Sequence, residues 1–327
     1  MRILITGADG MLGSNLVRLL LETEHDVSVL IHPSSKSGSL DGLKITKFTG
    51  NILIPESLEE AFQNQEAIIH AAASTAVWPS RTEMVRRINI EGTRNVVEAA
   101  LKHKLSRMIY VGSGSSVNAP GAPDSRYKFP GAKYGLDYID SKYEALNLVL
   151  DAVRERELPA LAVLPTFMIG PYDTLPGSGK MILALAQGKL KFYTRGGRNF
   201  IHVRDVATAI VNSLKMGEIG SYYLAGNENL TYWEFFTKVA GIVSKPAPKI
   251  LIPGWLVQTV GLLGSLSGML LKKEPLLTYP MARISCDKQY VSGEKCVATL
   301  NMPRTSIDIA IRECYDWFVE HNYLKKN

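Results

Sequence analysis

Tyr138 and Lys142 stand four residues apart in the stretch YIDSK, and of the 14 tyrosines in the chain only Tyr138 has a lysine at this spacing. On a helix, positions i and i+4 stack on one face with Cβ atoms roughly 5–6 Å apart. An ammonium beside a phenol favours the phenolate and draws down a pKa that starts at about 10. Tyr138 would then serve as a general acid and base near neutral pH, with Lys142 tuning it. The plainer arrangement, a buried tyrosine with its lysine in solvent, stays open at this point.

Two further stretches carry chemistry. In ITGADGMLG, Gly7, Gly10 and Gly13 separate the apolar run Ile3–Ile5 from an amphipathic run containing Leu12, Leu16, Leu19 and Leu20. A strand, a glycine turn and a helix bring bare backbone N–H groups and the positive end of a helix dipole to one spot, which suits a pyrophosphate. In YVGSGSSVN, Ser113, Ser115 and Ser116 follow the β-branched run Arg107–Val111, where hydroxyls can donate to a substrate oxygen. A solvated serine and glycine turn has the same composition.

These residues must be held by the elements around them. Strand-like runs are expected at Arg2–Ile5, Asp26–Ile31, Lys44–Phe48, Ala67–Ala71, Arg107–Val111 and Ala160–Leu164. Helix-period stretches at Leu12–Thr23, Glu83–His103 and Leu136–Glu155 lie between them. Alternation of this kind predicts an α/β fold with a doubly wound parallel sheet. The pattern loosens after Pro165, so residues 1–165 are read as the dinucleotide domain and 166–327 mainly as a smaller, discontinuous substrate lobe. NFIHVRDVATAIVNSL and SYYLAG look like returns to the sheet at about 200–225, with Asp205 a natural helix N-cap.

Composition removes several alternatives. The net charge of +6 and pI near 9.0 are mild, and no block of like charge resembles a nucleic-acid arm. Cys286, Cys296 and Cys314 fit neither a disulfide framework nor a metal site and read as reduced, cytoplasmic thiols. The N-terminal apolar run is too short for a signal peptide. Ile250–Leu271 has no charge and the length of a membrane span, but Pro253 and four glycines lower its hydrophobicity. It is expected to be a buried or partner-facing helix, with a weak membrane contact as the alternative.

Taken in order, TGADGMLG, GNI (Gly50–Ile52), HAAAS, NIEGTRNVVEAA, YIDSK, LPTFMIGP and FIHVRDVA resemble the extended short-chain dehydrogenase/reductases, the NAD-dependent epimerase/dehydratase family, over nearly the whole chain. The resemblance implies a Rossmann-type fold in which Gly7, Gly10 and Gly13 hold the pyrophosphate with the N–H groups of Met11 and Leu12. Asn51 and Ile52 would face the adenine, and Ala71, Ala72, Ala73, Pro165 and Met168 would line the cofactor. Tyr138 would move the proton, Lys142 would also bind the nicotinamide ribose, and Ser113 would orient the substrate oxygen, with Ser115 and Ser116 left as alternatives. The second strand ends in VLIHPSSK with no acid, so His32, Ser34, Ser35 and Lys36 favour NADP over NAD.

LPTFMIGP is similar to the dihydroflavonol-reductase-like branch, and an apolar lining by Trp78, Phe167 and Met168 agrees with it. Arg198, in GGRNFIHVRDVA, resembles the arginine with which nucleotide-sugar epimerases grip a diphosphate, and would equally suit a surface position. The expected activity is hydride transfer between nicotinamide and a carbonyl or alcohol of a small, partly apolar substrate. The alternatives are a nucleotide-sugar epimerase with tightly held NAD and a non-catalytic dinucleotide sensor. By family analogy, the helices at Glu83–His103 and Leu136–Glu155 pair two copies into a homodimer.

Overall fold

The computed structural model describes residues 1–35, 38–117 and 130–324. Its first half runs β1 (Arg2–Thr6), α1 (Met11–Leu21), β2 (Asp26–Ile31), β3 (Thr46–Thr49), α2 (Glu59–Phe62) and β4 (Ala67–His70). There follow α3 (Glu83–Arg86), a π-helical stretch at Arg87–Glu91, α4 (Gly92–Lys102), β5 (Arg107–Val111), α5 (Asp137–Arg156) and β6 (Ala160–Pro165). The second half holds β7 (Phe167–Ile169), α6 (Lys180–Ala186), β8 (Phe192–Tyr193), β9 (Gly197–His202), α7 (Val203–Asn212), β10 (Tyr222–Ala225) and β11 (Glu228–Thr231). The chain continues through α8 (Tyr232–Val243), β12 (Ile250–Leu251), α9 (Gly254–Leu271), α10 (Tyr279–Cys286), β13 (Lys288–Gln289), α11 (Glu294–Leu300) and α12 (Ile307–Glu320).

Seven parallel strands form the main sheet in the order β10-β6-β5-β4-β1-β2-β3. Neighbouring strand residues point to opposite faces, and both faces are covered. Ile3, Ile5, Ile69, Ile109 and Val163 pack with Leu16 of α1 and Val206 and Ile210 of α7. Leu4, Ile68, Met108, Ala162 and Leu164 pack with Val96 and Val97 of α4 and Leu146 and Val149 of α5. That two-sided burial is why these strands read as continuous apolar runs rather than alternating ones. Strand order reverses between β1 and β4, which opens a crevice at their carboxyl ends.

Two local expectations are corrected. SYYLAG does return to the main sheet, as β10 beside β6. NFIH does not: as β9 it pairs antiparallel with β11 and parallel with β7 and β13 in a second, four-stranded sheet. Its Phe200 belongs to an aromatic core with Phe235 and Phe318, stacked on Phe235 at 4.2 Å between ring centroids, while Ile201 faces the main core. β9 is therefore the seam between the two layers, and α7 after it packs on the main sheet. The cap of α7 is His202, whose Nδ1 accepts from Arg204 N at 2.9 Å. Asp205, expected there, is buried one turn in and accepts from Thr305 N (2.8 Å) and Oγ1 (2.7 Å), tying α7 to the approach to α12.

Candidate active site

At the strand-order reversal the chain leaves no room for side chains. Gly7 has φ +70°, and a Cβ there would lie 2.6 Å from Ala72 N in the loop after β4. One at Gly13 would lie 2.2 Å from the Gly7 carbonyl oxygen. Helix α1 thus presses end-on against its own turn at Gly13, and the turn at Gly7 presses against Ala71 and Ala72, a fit only glycine permits. Gly10 stands at the N-cap of α1 with no side-chain cap bond and no acid in the first turn. The cradle therefore fits a dinucleotide: its exposed amides and dipole end are those an anionic pyrophosphate would take.

Below the turn, His70 links β4 to β1 through Thr6 Oγ1 (2.7 Å) and to α4 through Thr93 Oγ1 (3.1 Å). Burial pushes its pKa down to about 3, so it is a neutral structural strut.

Helix α5 presents the catalytic candidates. Its start is fixed by Asp137 and Asp140, which both accept from Arg81 Nη1, at 2.7 and 2.6 Å. Asp137 also accepts from Thr82 N at 2.6 Å, binding the Trp78-to-Thr82 segment to α5. Second in the helix, Tyr138 is partly accessible and packs beside Val77 and Met281. The Ser113 hydroxyl stands near its phenol and favours the phenolate. Burial raises the Tyr138 pKa above the ordinary value, and the Ser113 hydroxyl and the Arg198 charge partly offset the rise.

Lys142 departs from the expectation. It is only 4% exposed, its Nζ donates to the Val111 carbonyl at 2.8 Å, and it lies 4.9 Å from the Tyr110 ring centroid. Burial brings its pKa down to about 7. Turned under the end of β5, its head is not among the groups that lower Tyr138; Ser113 and Arg198 are.

Among the serines, Ser113 adjoins Tyr138 and Ser115 adjoins Ser113, Oγ to Oγ at 2.7 Å. Ser116 is fully buried, and neither its hydroxyl nor that of Tyr110 has a hydrogen-bond partner among the described residues. Arg198 is held rather than free on the surface: its Nε donates to Tyr232 Oη at 2.9 Å and its guanidinium lies 4.7 Å from the Phe167 centroid.

At the far end of the crevice, His32 Nδ1 and Ser34 Oγ are 2.7 Å apart, and Ser35 donates to Asp9 of the glycine turn. Lys36 lies outside the described residues. Asn51 spends its Oδ1 on Leu53 N (3.0 Å), and the carbonyl of Ile52 accepts from Asn95 (2.8 Å). Pro165 ends β6 opposite Ala225, Met168 sits in β7 opposite Ile201, and Trp78 reaches α9 at Gly268.

Sequence reasoning missed Asn89. Buried in the π-helical stretch, it donates to Ser141 Oγ (2.8 Å) and the Ser74 carbonyl (3.0 Å) and accepts from Ser74 N (2.8 Å). It fastens the loop after β4 to the helix bearing Tyr138 and Lys142. The extra residue of a π-turn, frequent at functional sites, is not legible in a helical repeat.

A glycine cradle at the reversal of a parallel sheet, facing a tyrosine, serine and lysine, defines a nicotinamide-dinucleotide enzyme. The chain belongs to the NAD dependent epimerase/dehydratase family, whose family model matches residues 3–226. A Synechocystis sp. protein provisionally named dihydroflavonol 4-reductase is 30% identical over 98% of this chain and 95% of its own length. Sterol demethylase protein B of Methylococcus capsulatus is 27% identical over 99% of this chain and 100% of its own. The solved structure of gox2253 superposes with a TM-score of 0.85 at 29% identity, covering 99% of each chain. The protein is an NAD(P)-dependent oxidoreductase of the extended short-chain dehydrogenase/reductase type.

Proposed function

We propose that this enzyme interconverts a carbonyl and an alcohol on a largely apolar substrate, with Tyr138 as the proton carrier. The observation that carries the reading is the partly accessible Tyr138 phenol at the start of α5, with Ser113 after β5 and Arg198 both drawing its pKa down, at the carboxyl edge of the main sheet. The nicotinamide, when bound, supplies or takes the hydride. In the reducing direction Tyr138 gives its proton to the carbonyl oxygen; in the oxidising direction its phenolate takes the hydroxyl proton. Burial keeps that proton on the phenol at neutral pH, which suits an acid. Ser113 orients the substrate oxygen and stabilises the phenolate left behind.

Residues 1–165 hold the dinucleotide in this reading, and the chain after 165 mainly holds substrate. Gly7, Gly10 and Gly13 would hold the pyrophosphate with the amides of Met11 and Leu12, and Lys142 the ribose. NADP is favoured because no acid follows β2, whereas His32 and Ser34 do; Asp9, from the glycine turn, is the acid that opposes it. Phe167 and Trp78 support an apolar substrate, as do the names of the relatives, a dihydroflavonol reductase and a sterol demethylase protein. Three unpaired cysteines support a reducing, cytoplasmic compartment.

The test follows NADPH and NADH oxidation against a panel of apolar ketones. Tyr138→Phe should cut turnover roughly 10²- to 10⁴-fold while cofactor affinity changes little. Retained turnover would overturn the role of Tyr138. Stoichiometric NAD released only on denaturation, with no exchange, would favour the epimerase reading instead.

A further inference from the structure

Helix α9 has one face built into the protein and one left exposed among the described residues. Val257, Gly261, Ser265 and Gly268 form its buried stripe. A Cβ at Gly261 would lie 2.6 Å from Ala282 Cβ, one at Gly264 2.3 Å from the Leu277 carbonyl oxygen, and one at Gly268 2.8 Å from Trp78. Ser265 Oγ accepts from Tyr279 N at 2.9 Å. This side is seated on α10 and the segment before it.

The opposite side is apolar and open: Trp255 is 70% exposed, Leu263 61%, Met269 63% and Leu270 85%. Phe192 and Ile250, in the β8–β12 pair that leads into α9, extend the patch. Among the described residues α9 is the one helix long and apolar enough to cross a membrane, and it carries no charge. Exposed lysines stand at both of its ends instead: Lys191 and Lys249 beside the β8–β12 pair, Lys272 and Lys273 at its C-terminus, followed by a single acid, Glu274.

We propose that α9 is a monotopic docking helix for an anionic lipid bilayer. Lying flat follows from the glycine face, because crossing the bilayer would unseat the helix from α10. A flat helix buries its apolar side at the headgroup boundary while flanking lysines meet anionic lipid, and Trp255 stands at the aqueous–apolar border. A second copy fits poorly. Any twofold pairing along α9 sets one basic end against another, parallel or antiparallel. The proposal stands apart from the redox reading, since lipid binding is measured without substrate or cofactor.

The experiment sediments the full chain with vesicles of phosphatidylcholine alone and of phosphatidylcholine doped with phosphatidylglycerol. Binding is expected to the doped vesicles and to weaken in high salt. Leu263→Glu with Met269→Glu should lower the partition coefficient about tenfold or more. The unaltered protein provides a second readout: brominated lipid should quench the emission assigned to Trp255 by difference from Trp255→Phe. Protein left in the supernatant with both vesicle types, or unquenched Trp255, would overturn the proposal. So would a solution dimer, seen by sedimentation velocity, that the double variant converts to monomer.

Discussion

Lys142→Met isolates what the site costs the fold. In the folded chain the Lys142 ammonium titrates at about 7, against an ordinary value of 10.5. Between those values the unfolded chain binds more protons than the folded one, so wild-type stability rises with pH across that window. Applying linkage to the two values, charged Lys142 destabilises the fold by roughly 4–5 kcal/mol at pH 6 and by about 2 kcal/mol at pH 9. Methionine has similar volume and no charge, but leaves the Val111 carbonyl without its 2.8 Å donor. That loss costs about 1–3 kcal/mol and does not depend on pH. The variant should therefore be the more stable protein at pH 6, by a few kcal/mol, with most of that difference gone at pH 9. Urea unfolding at the two pH values, without cofactor, measures it. A difference that ignores pH, or a variant weaker at pH 6, would refute the account of Lys142 as a buried, strained charge. The same variant should bind dinucleotide more weakly, which is the usual relation between a stabilising change and a working site.

Two further outcomes follow from the geometry. Removing the Ser113 hydroxyl in Ser113→Ala takes away a group that favours the phenolate, so the Tyr138 pKa should rise; the basic limb of the kcat/KM profile for reduction should move up by roughly one pH unit, and an unmoved limb would exclude Ser113 as the partner of Tyr138. Gly13→Ala drives a methyl into the Gly7 carbonyl, where backbone must give way; a cost of about 3 kcal/mol should lower Tm by roughly 4–5 °C and weaken nucleotide binding, and an unchanged Tm would show that the turn has slack.

What the sequence determined is local. The step from β1 through Gly7, Gly10 and Gly13 into α1 is written in consecutive residues, because a turn without room for Cβ and an apolar stripe at helical spacing are both short-range properties. The i, i+4 spacing likewise put Tyr138 and Lys142 on one helix. Tertiary structure decided what those groups meet. Lys142 faces the Val111 carbonyl because α5 crosses the end of β5, a contact 31 residues away in sequence. Arg198 is engaged by Tyr232 and Phe167 because β9 joins the second sheet rather than the main one. Asp205 is withdrawn from the cap of α7 by Thr305, 100 residues further on. In α9, glycine spacing could mark the face that packs, but only the folded chain shows that the other is exposed among the described residues. Propensity and period act over a few residues, whereas burial, pKa and partner choice depend on neighbours that the chain brings together only by folding.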